Sequence, residues 1–205
     1  MELKLKELMI ASKNKNKISE IKSIISADVK LKSFMDYENI PDIVEDAQSI
    51  EGNSIKKAVE IAKFTGNYSI ADDTGIFVEY LGGEPGVLSA RWAGPGCSYE
   101  DNNKKLLGKL KGVKWENRKA VFKCAITIAS PDGRYHSRVG ELNGYIGTEI
   151  KGNNGFGYDP LFFVPDFSMT LAEMNAELKN KISHRAIALK LIKPVIDRLL
   201  NYGIF

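Results

Sequence analysis

Two adjacent carboxylates, Asp72 and Asp73, end an apolar run in the segment Ser69 to Gly75. The run predicts a strand, and the carboxyl ends of strands are where open α/β sheets collect ligands. We therefore expect both acids to be held rigidly at a sheet edge. Neighbouring residues on a β-like backbone point to opposite faces, so at most one acid should face a given cavity. The alternative is a plain Asp-Thr-Gly turn whose acids accept local hydrogen bonds.

Three lysines, Lys13, Lys15 and Lys17, lie in the polar segment between an apolar run and a predicted helix. Free backbone amides and the helix dipole favour an anion at such a helix N-terminus, so the segment predicts a phosphate site. It contains no glycine and is therefore no Walker loop. The alternative is that the lysines only solvate the helix start.

A second pair of lysines, Lys56 and Lys57, lies near the start of another predicted helix, for which Asn53 is the predicted N-cap. Cations near a helix start oppose the helix dipole. A bound polyanion would explain why one of the two lysines, whichever faces inward, occupies this position. The hint is weak, because one such surface lysine costs only roughly a few tenths of a kcal/mol. Glu45 and Asp46 precede this helix and add two more carboxylates.

Aromatic rings and further cations lie in the last third of the chain. Phe156 and Tyr158 alternate with glycines, an arrangement that suits stacking on a planar ligand such as a nucleic-acid base. The alternative is a tight turn whose rings fill the core. His184 and Arg185 open the last predicted helix, where cations again oppose the dipole and suggest an acceptor-rich ligand nearby.

Strands and helices must position these groups. Apolar runs predict strands from Leu8 to Ala11 and from Val29 to Phe34, one before and one after the first lysine-rich helix. A longer β pattern predicts an antiparallel hairpin from Lys119 to Leu142, followed by separate strands at Tyr145 to Ile150 and Leu161 to Val164.

Capping patterns and proline set the expected helix boundaries. Ser98 with Asp101, and Thr170 with Glu173, match the capping box and predict that helices begin there. Pro194 should kink or break the last helix, since an interior proline costs about 3 kcal/mol.

Composition excludes several classes of protein. With 43% hydrophobic and 27% charged residues, the 205-residue chain resembles an ordinary soluble protein, and we expect a single domain over residues 1–205. A net charge of +3 is too small for wrapping a polynucleotide but allows a compact anionic ligand. Cys97 and Cys124 lack metal-ligand spacing and predict reduced thiols in the cytoplasm. The first residues lack the apolar core of a signal peptide and no stretch approaches membrane-spanning length, so no membrane partner is expected.

Together these features predict one site for a nucleoside triphosphate and Mg²⁺. Mg²⁺ binds through one or two carboxylates together with phosphate oxygens. No covalent nucleophile with its own base is evident, so water is the expected attacker. The groups proposed for this site are the acids Glu45, Asp72 and Asp73, the lysines Lys17 and Lys57, the aromatic residues Phe156 and Tyr158, and the donors His184 and Arg185.

Six ordered motifs span nearly the whole chain. They are Ser12-x-Asn14-x-x-Lys17, Asn53-Ser54-x-x-Lys57-Ala58, Ala71-Asp72-Asp73-Thr74-Gly75, the run from Leu81 to Arg91, Gly155-Phe156-Gly157-Tyr158-Asp159-Pro160 and Ile182-Ser183-His184-Arg185. In this order they closely resemble the inosine/xanthosine triphosphate pyrophosphatase family. The resemblance implies Mg²⁺-dependent hydrolysis of dITP, ITP and XTP to the monophosphate and pyrophosphate by a homodimer. It also implies an elongated two-lobed α/β domain with a long twisted mixed sheet flanked by helices and the active site in the cleft between lobes.

The resemblance also implies roles for individual residues. Asp73 is the expected general base, with Glu45 and Asp73 as metal ligands and Lys17 and Lys57 as catalytic phosphate-binding residues. The family's substrate-binding residues correspond to two groups of positions in this sequence. Those on the phosphate side are Ser12, Asn14, Lys17, Lys57 and Thr74, and those on the base side are Phe156, Tyr158, Asp159, Lys179, His184 and Arg185. Gly52 stands where the family often has glutamate, which leaves the number of acids at that helix start open.

The expected base preference follows from polarity. Hypoxanthine and xanthine present a 6-oxo acceptor that Arg185 or backbone amides can satisfy, whereas adenine presents a 6-amino donor. Two alternatives remain at this point. One is a Maf-type pyrophosphatase acting on pyrimidine or methylated nucleotides, and the other is a catalytically silent nucleotide- or RNA-binding module.

Overall fold

The computed structural model describes residues 7–25, 29–37, 39–203 and 205. The strands of this part of the chain are β1 (Glu7–Ile10), β2 (Lys30–Lys32), β3 (Tyr68–Val78), β4 (Pro85–Gly86), β5 (Lys119–Ala129), β6 (Tyr135–Ile146), β7 (Phe162–Val164) and β8 (Met169–Thr170). The α-helices are α1 (Lys15–Ile24), α2 (Ile50–Thr65), α3 (Tyr99–Lys109), α4 (Ala176–Ile182) and α5 (His184–Tyr202). Among the described residues, no helix has the length and hydropathy needed to cross a membrane.

The strands form one mixed sheet in the order β2-β1-β3-β5-β6-β7-β8, with β4 paired to β3. β1 is parallel to both β2 and β3, whereas β7 is antiparallel to β6 and β8. The predicted α/β class with a mixed sheet is therefore confirmed.

The chain divides into two compact units, each assembled from separate segments. Unit 1 comprises Met1–Asp73, Cys124–Gly140 and Arg185–Phe205, and unit 2 comprises Thr74–Lys123 and Glu141–His184. The expectation of a single domain over residues 1–205 stays a prediction.

Unit 1 buries both faces of its part of the sheet. Leu8, Ile10 and Ile70 belong to one core cluster together with side chains of α1 and α5, and Met9 and Ala71 belong to another with side chains of α2. Alternate residues of β1 and β3 thus face opposite helical layers, as the period of two requires. The same alternation fixes the directions of the next two residues of β3, which are the two acids.

Unit 2 has its own apolar core. Phe122 of β5 packs on Phe162 of β7 with ring centroids 4.6 Å apart, and Leu106 and Leu110, at the C-terminal end of α3, are fully buried in the same cluster. α3 begins at the predicted capping box, in which the Ser98 hydroxyl accepts from the amide of Asp101. That prediction is confirmed.

β3 does not end at the acids, so the predicted strand end and Asp-Thr-Gly turn are wrong. The strand pairs in parallel with β1 up to Ile70 and in antiparallel fashion with β4 from Ile76 onward. Gly75 permits this change of partner, since a Cβ there would lie 2.5 Å from the carbonyl oxygen of Gly86. The acids are consequently held in the middle of a strand that lies between β1 and β5, not at a sheet edge.

Three helix boundaries differ from the predictions. α2 is capped by the Ser49 hydroxyl, which accepts from Gly52, and Asn53 lies inside the helix. The Thr170 pattern opens no helix: the Glu173 carboxylate accepts from the Thr170 amide as in a capping box, but residues 171–174 form a turn and α4 begins only at Ala176. α5 continues through Pro194 to Tyr202.

The strand predictions are mostly confirmed. β5 and β6 are neighbours joined by a turn in which the amide of Ser130 donates to the carbonyl of Arg134 at 2.9 Å. The separate strand predicted from Tyr145 to Ile150 is wrong, since β6 continues unbroken to Ile146. Both cysteines are free thiols, as expected.

Candidate active site

Asp72 points toward α1 and α5 and is the centre of a buried ion cluster in unit 1. Its Oδ2 lies 3.0 Å from Lys17 Nζ and 3.0 Å from Arg185 Nη2, and Arg185 also pairs with Glu20. Both Asp72 and Arg185 are 1% exposed. Burial by itself would raise the pKa of Asp72, but the charges of Lys17 and Arg185 outweigh it and hold that pKa well below its usual range.

The phosphate-binding loop predicted before α1 has fewer free amides than expected. The Asn14 side chain caps α1 by accepting from the amides of Asn16 and Lys17 at 3.0 and 3.3 Å. The Ser12 hydroxyl accepts from the Asn14 amide at 3.2 Å. The expectation of free amides is therefore wrong at Asn14, Asn16 and Lys17.

The three lysines of this loop have different surroundings. Lys13 is exposed and pairs with Asp42, and Lys15 is exposed. Lys17 is largely buried, and its ammonium group meets Asp72. Of the three, Lys17 is the one that the fold connects to the acids.

Asp73 points the other way, toward α2. Its Oδ2 accepts from Asn53 Nδ2 at 3.2 Å, and its Oδ1 lies 3.4 Å from Lys57 Nζ. The same Lys57 Nζ lies 2.5 Å from Glu45 Oε1. Burial raises the pKa of Asp73, because the opposing charges of Lys57 and Lys17 compensate only part of the desolvation.

The carboxylates of Glu45 and Asp73 thus converge on one cationic centre, the ammonium group of Lys57. Whether the two acids fit a divalent metal depends on how many ligands the site must supply. Among the described residues, no group of three or more His, Cys, Asp or Glu side chains is clustered tightly enough to hold an ion alone. Mg²⁺ needs only one or two carboxylates when substrate phosphates complete its shell. Two carboxylates that already share one cation fit that requirement.

The lysines of α2 have carboxylate partners within the chain. Lys57 pairs with Glu45, and Lys56 pairs with Asp46 at 2.7 Å. Burial would lower the pKa of Lys57, but the charges of Asp73, Asp72 and Glu45 outweigh it and raise that pKa. A bound polyanion is therefore not needed to explain why cations stand near the start of this helix.

Asp159 organises the aromatic loop of unit 2. Its Oδ2 accepts from the amide of Phe156 at 2.8 Å and lies 2.6 Å from Lys179 Nζ, which stands 4.8 Å from the centroid of the Phe156 ring. Gly155 has φ +74°, and a Cβ there would lie 2.2 Å from Asp159 Oδ2. The Asp159 carboxylate thus links the Phe156 backbone to Lys179, which contacts the Phe156 ring.

Two other predicted base-recognition residues lie in the core of unit 2. Tyr158 is buried, and its hydroxyl donates to the carbonyl of Ser89 at 2.9 Å. His184 is buried and stacks on Phe122 with centroids 4.5 Å apart. The alternative interpretation, that a ring of the loop fills the core, is correct for Tyr158, whereas Phe156 stays half-buried.

The structure distributes the predicted site residues over both units. Within unit 1, it brings Lys17 and Arg185 to Asp72, and Glu45 and Lys57 to Asp73. The members in unit 1 are Ser12, Asn14, Lys17, Glu45, Lys57, Asp72, Asp73 and Arg185, and those in unit 2 are Thr74, Phe156, Tyr158, Asp159, Lys179 and His184.

Sequence reasoning missed two residues that contact these groups. Glu20, which pairs with Arg185, lies three residues after Lys17, and Asn53, which binds Asp73, lies four residues before Lys57. Residues three or four apart share a helix face, so the spacing was a usable signal in both cases.

Comparisons with known proteins agree with the motifs. The Ham1 family model matches residues 8–195. A dITP/XTP pyrophosphatase of Bacillus licheniformis is 46% identical over 195 residues, which is 95% of this chain and all of that protein. A second dITP/XTP pyrophosphatase, from Desulforamulus reducens, is 43% identical over 94% of this chain and 96% of its own.

A solved structure, that of the Staphylococcus aureus Ham1 protein, has the same fold. It matches with a TM-score of 0.85 at 38% identity and covers 94% of this chain and 98% of that one. With a family model over most of its length and relatives above 40% identity, the chain belongs to the Ham1 family.

Proposed function

We propose that this protein hydrolyses the deaminated purine nucleoside triphosphates dITP, ITP and XTP to the monophosphate and pyrophosphate, and so clears them from the nucleotide pool. The observation that carries the proposal is the convergence of Glu45 and Asp73 on one cationic centre. It occurs in a chain that is 46% identical to a dITP/XTP pyrophosphatase. The family match gives no support to the Maf-type alternative.

Mg²⁺ is the proposed cofactor, with Glu45 and Asp73 as its protein ligands. Divalent-metal dependence is general among nucleotide pyrophosphatases. A metal bound there lowers the pKa of a water molecule and neutralises phosphate charge.

Asp73 is the proposed general base for the water that attacks the α-phosphorus. Its attachment to Asn53 and its position in mid-strand fix the direction in which the carboxylate accepts a proton.

Lys17 and Lys57 are the proposed partners of the departing pyrophosphate. The neighbouring acids raise the pKa of Lys57, so its ammonium group stays charged at neutral pH. Ser12 and Asn14, which order the start of α1, add a hydroxyl and an amide to the proposed phosphate site.

Base recognition is assigned to the loop of unit 2 that Asp159 organises. The half-buried Phe156 ring contacts Lys179 and Tyr99, and it is the proposed stacking surface for the base. A 6-oxo group accepts hydrogen bonds from donors of the protein. The 6-amino group of adenine is itself a donor, so the protein donors opposite it would stay unpaired. The predicted contact of Arg185 with the base stays a prediction, since the described contacts of its guanidinium are to Asp72 and Glu20.

The proposal predicts a specific substrate profile. With Mg²⁺ at mildly alkaline pH, we expect pyrophosphate release from dITP, ITP and XTP at a kcat/KM at least about 100-fold above that for ATP, dTTP or UTP, as expected for sites that discriminate by hydrogen bonding. Chromatography should identify the monophosphate as the second product. A preference for pyrimidines would overturn the substrate assignment, and ITP binding without pyrophosphate release would favour the silent binding module.

Phe156→Leu tests the stacking role of the loop. We expect the KM for dITP to rise about tenfold with kcat within about threefold, because base–aromatic stacking contributes roughly 1–3 kcal/mol. Tyr158→Phe is the matched control, since it removes only the hydroxyl that binds the Ser89 carbonyl. It should lower the melting temperature slightly and leave KM unchanged. Equal KM values for Phe156→Leu and the wild type would remove the ring from base binding.

Three further properties are part of the proposal. The protein acts in the cytoplasm as a homodimer, and its substrates are small nucleotides, not polynucleotides. We also infer a single domain, because the chain passes between the two units four times, at residues 73–74, 123–124, 140–141 and 184–185.

A further inference from the structure

Asn53 is a buried polar residue that the sequence analysis treats only as a helix cap, and whose bond to Asp73 is so far its one link to the proposed mechanism. It is 1% exposed and lies in the first turn of α2, where it does not act as the helix cap. Both ends of its side-chain amide are bonded. Oδ1 accepts from the amide of Ala47 at 2.9 Å, and Nδ2 donates to Asp73 Oδ2 at 3.2 Å.

These two bonds connect the segments that carry the two proposed metal ligands. Ala47 lies two residues after Glu45, so the amide of Asn53 joins the Glu45 segment to the Asp73 carboxylate by a direct path through one side chain. Donation to Oδ2 also orients the Asp73 carboxylate, whose Oδ1 faces Lys57. We propose that Asn53 is a positioning residue that holds Glu45 and Asp73 at the separation required by a shared divalent cation; this rests on the proposed function.

A second observation shows how closely the Glu45 segment lies against α2. A Cβ on Gly52 would stand 2.9 Å from the Cβ of Ala47, closer than two such carbons can approach. Only glycine at position 52 lets Ala47 reach Asn53 without displacement. Asp46 and Glu45 are tied to the same helix through Lys56 and Lys57, so three consecutive residues of the segment have partners on α2.

The chemistry requires an amide at this position. One side chain must offer an acceptor to a backbone N–H and, on a second atom, a donor to a carboxylate. The amide of asparagine has both atoms, whereas a serine or threonine hydroxyl would have to make both bonds through one oxygen. Buried partners that orient metal ligands typically change metal affinity by about 10- to 100-fold when they are removed. Asn53 is therefore expected to act on metal affinity more than on the chemical step.

The test is Asn53→Leu, which keeps the branched heavy-atom shape of the side chain and removes both hydrogen bonds. We expect Mn²⁺ affinity, measured from the electron paramagnetic resonance signal of free Mn²⁺, to fall about tenfold. The Mg²⁺ concentration for half-maximal dITP turnover should rise by a similar factor, with kcat at saturating Mg²⁺ within about threefold of the wild type.

Ser54→Ala is the matched control. Ser54 is the next residue and is equally buried, but its hydroxyl bonds the Ala71 carbonyl and Thr127 and touches neither acid. It should lower the melting temperature while Mn²⁺ affinity stays within about twofold of the wild type. Unchanged Mn²⁺ affinity in Asn53→Leu, or an equal loss in both variants, would overturn the proposal.

Gly52→Ala supplies an independent variant that leaves the Asn53 side chain intact. It favours the helix by about 1 kcal/mol, yet its Cβ must push Ala47 away from Asn53. We expect lower Mn²⁺ affinity without a lower melting temperature, and unchanged affinity would contradict the geometry proposed. Because Mn²⁺ binding is measured with inorganic pyrophosphate present to complete the metal shell, and without a hydrolysable nucleotide, a wild-type protein that fails to hydrolyse dITP would refute the proposed function separately.

Discussion

Asp73→Asn is expected to abolish turnover of dITP while the protein stays folded and still binds nucleotide. Loss of a general base alone costs about 10²- to 10⁴-fold in kcat. Because the same change removes one of two proposed metal ligands, we expect a loss of about 10³-fold or more. Steady-state pyrophosphate release at saturating Mg²⁺ measures kcat, and calorimetric titration with ITP measures binding.

The fold should tolerate this substitution. Asparagine keeps an oxygen that can accept from Asn53 Nδ2, and it removes a carboxylate whose burial raises its pKa. A raised pKa means that the charged form is less favourable in the folded state, so a neutral side chain should leave the melting temperature unchanged or slightly higher. A folded Asp73→Asn protein with turnover within tenfold of the wild type would remove Asp73 from its catalytic role.

Much of this arrangement follows from the sequence, and the reason is the period of two in strands. The alternation of Ile70 and Ala71 between two helical layers continues into Asp72 and Asp73, so the two acids must have different partners. That inference needed only a β-like backbone. It held although the strand turned out to continue through the acids to Val78.

Other features could not be predicted because they depend on contacts distant in sequence. The strand continues past Gly75 because β4 takes over the pairing, and nothing local to the Asp-Thr-Gly segment indicates a partner at Pro85. Asn53 matches an N-cap in isolation, yet Ser49 caps the helix and leaves Asn53 to bind Asp73, 20 residues away. The buried pair of Arg185 with Asp72 joins residues 113 apart, which no local pattern can show.

Asp72→Asn should destabilise the folded protein, in contrast to Asp73→Asn. Asp72 is fully buried and neutralises Lys17 and Arg185, so asparagine leaves buried cations without their counter-charge. Removing one partner of a buried ion pair destabilises proteins by about 3–5 kcal/mol. We expect a loss near the lower value, because Glu20 still pairs with Arg185. Urea denaturation followed by circular dichroism measures it.

The pH dependence of this loss distinguishes charge from packing. The charges of Lys17 and Arg185 outweigh burial and lower the pKa of Asp72 in the folded state, so its contribution is fully present above the unfolded pKa of about 3.9. It disappears as the pH falls through the lower folded value. The difference in unfolding free energy between wild type and Asp72→Asn should therefore stay constant from about pH 7 to 5 and narrow below about pH 4.

The two neighbouring substitutions separate stability from catalysis within one strand. Asp73→Asn should lose turnover and keep stability, whereas Asp72→Asn should lose stability and retain measurable turnover at temperatures where it is folded. Adding Arg185→Met to Asp72→Asn removes the unpaired buried guanidinium and should recover part of the lost stability, since replacing a whole buried ion pair costs less than breaking it. A pH-independent loss in Asp72→Asn, with no recovery in the double variant, would show that packing around Asp72, and not its charge, holds this part of unit 1 together.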